Sequence, residues 1–507
     1  MQRQRPETST DLATEATGLI GAWRNRHATS GLAVALVRGG EPAWSAGFGL
    51  ADVAAGTPVT PATVFRAASI TKTLVAVAVA QLVQDGTVAL DDPVNAHLRA
   101  WRLEPADPAF PPVTIRHLLT HTGGIGELRR GRDVVRPMFG LGQRADRVPP
   151  ELTAYYGERL AVQVAPGTKW AYANHGYATL GQMVEDVTGE PLAERLRTRV
   201  LDPFGMASSD LVPSARVTGR LAKGYALGRR GLAPVTDLWV APWPAGSLYA
   251  TADDLAAYAA GLLAGGKGPG GKVLEPAAVR GLLAPAWRPD DRLAGMGLGF
   301  MLDQVGSHRV AGHDGGWPGF ISSLLLAPDD GAAVVVLTNG GRPEVATLAN
   351  RLLRLLLGAP ASAIDPTLPD RPEVWRHLRG WYAPAPGLGT NARVLTAFGG
   401  GVEVGIGGDQ HLRLSALSPV PALRRGVRLH PDDAEDPLLY RFEAPELGSV
   451  RVAFHRSGGG PADALHMGSG YLGTMHRRPA GANPRLWLRA AAVGGGLAAA
   501  ALALRRE

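Results

Sequence analysis

Ser69 and Lys72 stand three positions apart in Ser69-Ile70-Thr71-Lys72, and the apolar residues Leu74, Val75, Val79, Leu82 and Val83 follow at helical spacing. On a helix, positions i and i+3 share a face, so the hydroxyl and the amine come within hydrogen-bond reach. A serine hydroxyl is inert at neutral pH without a base. A lysine with a lowered pKa can be that base, and the pair would then attack a carbonyl and form an acyl-enzyme. The helix N-terminus adds backbone N–H groups beside the forming oxyanion. The chain carries only five lysines, Lys72, Lys169, Lys223, Lys267 and Lys272, against a large excess of arginine. Arginine stays charged and cannot take up a proton, which gives weight to a lysine kept inside such a motif. Alone, the spacing equally describes a serine that caps a helix and a lysine that faces water.

Two later segments add to the pair. One is Pro166-Gly167-Thr168-Lys169-Trp170-Ala171-Tyr172-Ala173-Asn174, and the other is Gly312-His313-Asp314-Gly315-Gly316. With these the chain resembles the class C β-lactamase and penicillin-binding-protein-like serine hydrolases, whose signatures run Ser-x-x-Lys, Tyr-x-Asn and Lys/His-x-Gly in this order. The resemblance covers residues 20 to 358. It includes the landmarks Thr114-Ile115-Arg116-His117-Leu118-Leu119-Thr120-His121-Thr122-Gly123-Gly124 and Ala245-Gly246-Ser247-Leu248-Tyr249-Ala250-Thr251. It implies that Ser69 is the nucleophile, with Lys72 and Tyr172 sharing the proton work. Asn174 would hold Lys72 and the substrate amide, and His313 would line the far wall and keep Tyr172 in its working protonation state. The N–H groups of Ser69 and Gly316 would form the oxyanion hole, and Asp314, Gly315 and Trp317 would contact substrate. The residues call for no metal and no cofactor.

The third motif departs from the lactam-recognising pattern. Where that pattern has Lys-Thr-Gly to hold a carboxylate, this chain has His-Asp-Gly, and an anionic Asp314 aimed into the cleft would repel one. Asp314 could equally face away, because neighbours on a strand alternate sides. The His-x-Gly form resembles the family's esterases, D-stereospecific amidases and peptide cyclases. The expected activity is a serine hydrolase or acyltransferase on an ester, thioester or amide, with a small-molecule or peptidyl acyl substrate that a carrier protein could present. The alternatives are a thioesterase that cyclises a nonribosomal peptide, a β-lactamase or DD-peptidase, and a penicillin sensor that is acylated without turnover.

Other signals carry less. His117 and His121, four apart on an expected helix, lack the glutamate of a His-Glu-x-x-His zinc site. Gly295-Met296-Gly297-Leu298-Gly299 lacks the strand-and-helix context of a dinucleotide loop and reads as a turn. Tyr155, Tyr156 and Trp243 read as packing aromatics, and Trp317, directly after the third motif, is the best aromatic candidate for the cleft.

The elements that must hold these residues follow from periodicity. Thr10 to Arg26 reads as a helix packed by Leu12, Ala16, Leu19, Ile20 and Trp23. Leu32 to Val37 and Ala43 to Phe48 read as a hairpin turned at Arg38-Gly39-Gly40-Glu41. Gly299 to Leu302, Phe320 to Leu326 and Ala332 to Thr338 read as further strands of the same antiparallel sheet. The stretch 82–292 between them reads as mostly helical, with a capping box at Thr251-Ala252-Asp253-Asp254. The expected fold is α/β: an antiparallel sheet flanked by helices with an inserted helical subdomain over 1–358, β-lactamase/transpeptidase-like by resemblance. After a linker at 359–374, residues 375–480 alternate at strand period in Val402–Ile406, Leu412–Leu414, Tyr440–Phe442 and Val450–Phe454. They should form a small all-β barrel, loosely resembling a lipocalin.

Composition excludes several classes. At 45% hydrophobic and 19% charged residues, the chain forms a core. It has no cysteine, so disulfides, thiol catalysis and thiolate metal sites are absent. The formal charge of +7 is modest for 507 residues and comes without basic–aromatic clusters, which argues against nucleic-acid binding. The polar N-terminus shows no secretory signal, which predicts a cytoplasmic location. In the tail 481–507, Ala490 to Leu504 are fifteen uncharged residues between arginines, short of the ~17–25 of a spanning helix. The two readings are a membrane tail and a docked or loose helix.

Overall fold

A computed structural model of the chain describes residues 8–487, apart from 28, 131, 134–135, 137–139, 145–150, 229–230, 341–343, 388 and 469–472. Helix α1 (Ser9–Arg24) opens on Thr8, whose side chain accepts from the Asp11 amide while Asp11 reaches back. Its stripe of Leu12, Ala16, Ile20 and Trp23 is buried. The hairpin β1 (Gly31–Arg38) and β2 (Glu41–Asp52) follows, then β3 (Thr57–Pro58). Helix α2 (Thr71–Gln84) carries the first motif, α3 (Asn174–Thr188) begins at the end of the second, and α4 (Ala252–Leu263) backs the sheet. The sheet is completed by β4 (Met301–Val305), β5 (His308–Trp317), β6 (Phe320–Ala327) and β7 (Ala332–Thr338), before α5 (Val345–Leu357).

Among the described residues the sheet runs β4-β5-β6-β7-β1-β2-β3, with every neighbouring pair antiparallel. Its central strands are covered on both faces, which is why β1 and β7 read as continuous apolar runs and do not alternate. Leu32, Val34 and Leu36 pack with α1 and α5, whereas Ala33, Ala35 and Val37 belong to the larger core shared with α2 and α4. The reactive cleft lies on that second side.

The stretch expected to be mostly helical also contains short two-stranded pieces. Arg102–Pro105 pairs in parallel with Arg159–Val162, Gly142–Arg144 with Leu238–Val240, and Tyr225–Gly228 with Gly231–Pro234. Strands of three or four residues are too short to show a period of two, so they left no sequence signal. The box at Thr251 is only half formed. Its hydroxyl accepts from the Asp254 amide, but the Asp254 carboxylate turns away to the Ser208 amide and the Ser209 hydroxyl. The strand expected from Gly299 begins at Met301. Gly299 sits at φ +85°, where an added Cβ would lie 2.4 Å from the Ala76 methyl of α2, so the backbone bends there to pass the helix. The third motif is itself inside a strand, β5.

Beyond α5 the chain forms β8 (Gly380–Ala383), helix α6 (Ala392–Phe398), β9 (Val402–Ile406), β10 (Leu412–Ala416), β11 (Val427–Arg428), β12 (His430–Pro431), β13 (Leu439–Ala444), β14 (Gly448–His455), β15 (Ala464–Met467) and β16 (Gly473–Arg478). They form one sheet in the order β11-β10-β9-β8-β16-β15-β14-β13-β12. The two edge strands are joined by a single buried residue, Leu429, whose amide donates to Leu412 O at 2.8 Å. The sheet therefore comes close to closing into a barrel, filled by side chains such as Tyr382, Val404, Leu414, Phe442 and Phe454. Arg292 ties it to the rest of the chain by pairing with Asp436 and donating to Phe454 O. Residues 490–504 lie outside the described set, and among the described residues no helix is long and apolar enough to cross a membrane.

Candidate active site

Ser69 sits at the turn between the strand Phe65–Ala68 and α2. The residue before it, Ala68, has φ +47°, a left-handed conformation that costs a non-glycine residue free energy and marks an over-determined turn. Three bonds hold it there: Thr71 Oγ1 donates to Ala68 O at 2.6 Å, the Leu248 amide donates to Thr71 Oγ1 at 2.9 Å, and Ser322 Oγ donates to Ala67 O at 2.8 Å. The Ser69 amide makes no hydrogen bond among the described residues, which leaves it free for an oxyanion.

Lys72, the second residue of α2, is fully buried, and its Nζ lies 2.9 Å from Ser69 Oγ. Burial, and then the positive Arg393 nearby, hold its pKa well below that of an ordinary lysine. Its second partner is Ala245 O at 2.6 Å. The resemblance gave that place to Asn174. Asn174 instead opens α3 and lines the cavity, and among the described residues no hydrogen bond joins it to Lys72.

Tyr172 is buried beside them, its ring centroid 4.8 Å from Lys72 Nζ. Its segment is pinned on both sides by His121: the Ala171 amide donates to His121 O, and the Ala173 amide donates to His121 Nδ1 at 3.1 Å. The His121 ring packs against the Tyr172 ring, centroids 4.4 Å apart and planes tilted by 34°. Burial pushes the Tyr172 phenol up to about 12, against the lowering effects of Arg393 and of a hydrogen bond with Ser69. At neutral pH Tyr172 is therefore a protonated donor and not a resting phenolate.

On β5 the side chains alternate as a strand requires. His313 faces inward, nearly fully buried, with Nδ1 2.6 Å from Asp314 O. Since a carbonyl only accepts, Nδ1 carries the proton and the lone pair is on Nε2. Burial, reinforced by Lys72, lowers the His313 pKa to about 3, so the imidazole is neutral. Asp314 takes the outward orientation, where its carboxylate accepts from Ser323 Oγ at 2.6 Å on the facing strand. It does not share the face of Ser69, which corrects its expected contact with substrate at the nucleophile. Gly315 lies on the cavity, and an added Cβ there would lie 2.2 Å from both Ala67 O and Ser322 Oγ, so the glycine lets β5 press against the strand that leads to Ser69. Gly316 is exposed to the cavity, and β4 ends opposite Gly312, leaving the edge of 313–317 without a strand partner among the described residues. Trp317 is mostly core, with part of its surface on the cavity.

These groups line a cavity of about 900 Å³ that also runs past the β5 edge to the barrel turn at Pro445–Gly448. Tyr155, Tyr156 and Trp243 do not reach it; Tyr156 is buried with its hydroxyl 3.0 Å from His175 Nδ1. The helix expected to bear His117 and His121 ends at Leu119, and His121 is left-handed at φ +59°. In both rings Nδ1 accepts a backbone N–H.

Four neighbours escaped the sequence reading of the site. His121 lay within a landmark but had no assigned role. Lys169, in the second motif, reaches Thr390 and Asn391 near α6. Glu127 and Arg393 pair at 3.4 Å, and the Arg393 guanidinium lies 3.9 Å from the Tyr172 ring centroid. The last two had no motif to announce them.

The Beta-lactamase family model matches residues 13–359. Esterase EstB of Burkholderia gladioli is 40% identical over 195 residues, 38% of this chain and 49% of its own, so the chain spans about half the length of that relative. Penicillin-binding protein 4 of Amycolatopsis lactamdurans is 31% identical over 356 residues, 66% of this chain and 87% of its own. Among solved structures, the D-amino acid amidase of Ochrobactrum anthropi SV3 complexed with L-phenylalanine amide superposes with a TM-score of 0.55 at 25% identity, covering 68% of this chain and 99% of that one.

Proposed function

The chain belongs to the beta-lactamase family, and from that premise we propose that it is a serine hydrolase or acyltransferase that forms an acyl-enzyme on Ser69 from an ester, thioester or amide. The observation that carries this reading is the 2.9 Å contact between Ser69 Oγ and a fully buried Lys72 whose pKa is depressed. A lysine that is neutral at working pH can accept the serine proton.

In the first step Ser69 Oγ transfers its proton to Lys72 Nζ and bonds to the substrate carbonyl carbon, whose oxygen becomes the oxyanion. In this reading the Ser69 amide, which makes no hydrogen bond among the described residues, and the Gly316 backbone hold that charge. In the second step the bond to the leaving group breaks as Tyr172 Oη–H gives that group its proton. The ammonium of Lys72 then returns a proton to the Tyr172 phenolate, and the resting state is restored with Ser69 acylated. A water or an amine takes the acyl group by the same steps in reverse. His313 is buried and neutral and so brings no cation to the far wall. That favours uncharged acyl groups over the carboxylate of a β-lactam at this position. The esterase and amidase among the relatives support the ester and amide classes, and a peptidyl thioester extends them.

Replacing Ser69 with alanine tests the reading: S69A should lose both turnover of a short-chain nitrophenyl ester and labelling by a fluorophosphonate. Retained turnover would overturn it. A panel with a D-amino-acid amide, a peptidyl thioester and a chromogenic cephalosporin, read by product mass, separates hydrolysis from cyclisation and should show the cephalosporin as the poorest substrate.

A further inference from the structure

Besides the turn at Pro445–Gly448, the C-terminal barrel region borders the cavity at Arg393, beside Tyr172. Its segment Gly389–Asn391, leading into α6, is fastened to the catalytic part by several contacts. Gly389 O accepts from the Glu127 amide at 2.8 Å, and Lys169 Nζ donates to Thr390 Oγ1 at 3.1 Å and to Asn391 Oδ1, while within the C-terminal region itself Asn391 Nδ2 donates to Ala385 O at 2.7 Å. An added Cβ on Gly389 would lie 2.0 Å from Gln163 Oε1, so the strap passes close against the end of the Gln163 side chain. The contacts deliver Arg393, at the start of α6, onto the face of the Tyr172 ring at 3.9 Å and beside Glu127.

We propose that Arg393 is a positioning residue of the reaction, supplied by the C-terminal barrel region, which stabilises the Tyr172 phenolate formed when Tyr172 protonates the leaving group. The inference rests on the proton path given above. A guanidinium over a ring attracts its π face, and it attracts the ring more strongly once the phenol has lost its proton. The other groups facing Tyr172 do not supply this charge in the resting site. His121 and His313 are held neutral by burial, Lys72 is neutral in the proposed path until it takes the serine proton, and Tyr177 and Ser69 are uncharged. Among the described residues Glu127 is the carboxylate paired with Arg393, and burial raises its pKa to about 7, so near neutrality it compensates the guanidinium only in part. The barrel thereby completes a site whose signatures all lie in the other part of the chain.

The test uses leaving-group dependence. Protonation by Tyr172 matters for a basic alkoxide and hardly at all for nitrophenolate. Two esters of one acid, an ethyl and a p-nitrophenyl ester, are assayed for kcat/KM with wild type, R393K and R393M in the full chain. R393M should lose about tenfold or more on the ethyl ester and less than about threefold on the nitrophenyl ester, with R393K between wild type and R393M. Equal losses on both esters, or no loss on either, would overturn the role. R393Q takes the place of R393M if that variant does not fold. If wild type turns over neither ester and S69A matches it, the acyl-enzyme reading itself fails and this inference falls with it. A competent wild type with uniform losses rejects Arg393 alone.

Discussion

Lys72 is the residue on which the chemistry turns, because its buried amine must be neutral to accept the Ser69 proton. Its pKa lies well below 10.5, so kcat/KM should rise with pH through that depressed value and fall on acidification as the amine charges. K72A should lose about 10²–10⁴-fold in kcat/KM, and K72R should not rescue it, since a guanidinium stays protonated. A K72R variant with near wild-type rate would remove lysine from the base role. At this scale the sequence was legible where spacing alone brings groups together. Ser69 and Lys72 meet because i and i+3 share a face, and Tyr172 follows from its motif. Lys169 with Thr390 and Asn391, and Arg393 with Tyr172, meet across more than two hundred residues of chain, and no local period marks such pairs.

At the scale of elements, the cleft depends on how closely β5 lies against the strand ahead of α2. Gly315 sets that distance. G315A would place a methyl 2.2 Å from Ala67 O, a backbone atom that cannot swing aside. We expect the variant to lose about 1–3 kcal/mol of stability in denaturant unfolding and to lose activity with it, because the displaced strand leads to Ser69. An unchanged unfolding midpoint would show that β5 can move outward without strain. The sheet was readable from its apolar runs, and β1, β6 and β7 lie close to where those runs predict them. β5 was not readable as a strand, because two adjacent glycines and a histidine–aspartate pair interrupt its apolar signal. The short paired segments in the helical part are also too brief for any period.

Across the whole molecule, the two cores are joined by the Arg292 contacts, by the strap at Gly389–Asn391 and by the shared cavity, so folding and reactivity share several buried titratable groups. His175 is one that lies outside the proposed proton path: fully buried, bonded to Tyr156, with its pKa lowered to about 4 by burial. Between pH 4 and the ordinary value of 6.5 the unfolded chain binds a proton at this residue that the folded chain does not. Its effect is therefore absent above 6.5, and stability falls as pH drops toward 4. The midpoint of urea unfolding should decline over that window, and H175Q should flatten the decline. An equal slope in H175Q would assign the acid sensitivity elsewhere. The barrel was visible in its alternating segments, although its closure through Leu429 and its reach into the cleft were not, because both depend on contacts between distant strands.

The proposed chemistry requires a covalent intermediate at Ser69. Acid-quenching the protein within milliseconds of mixing with a short-chain p-nitrophenyl ester, followed by digestion and peptide mass mapping, should show one acyl group, on the peptide containing Ser69, and none in S69A. Turnover without an acylated peptide, or an acyl group that maps to another residue and persists in S69A, would contradict it.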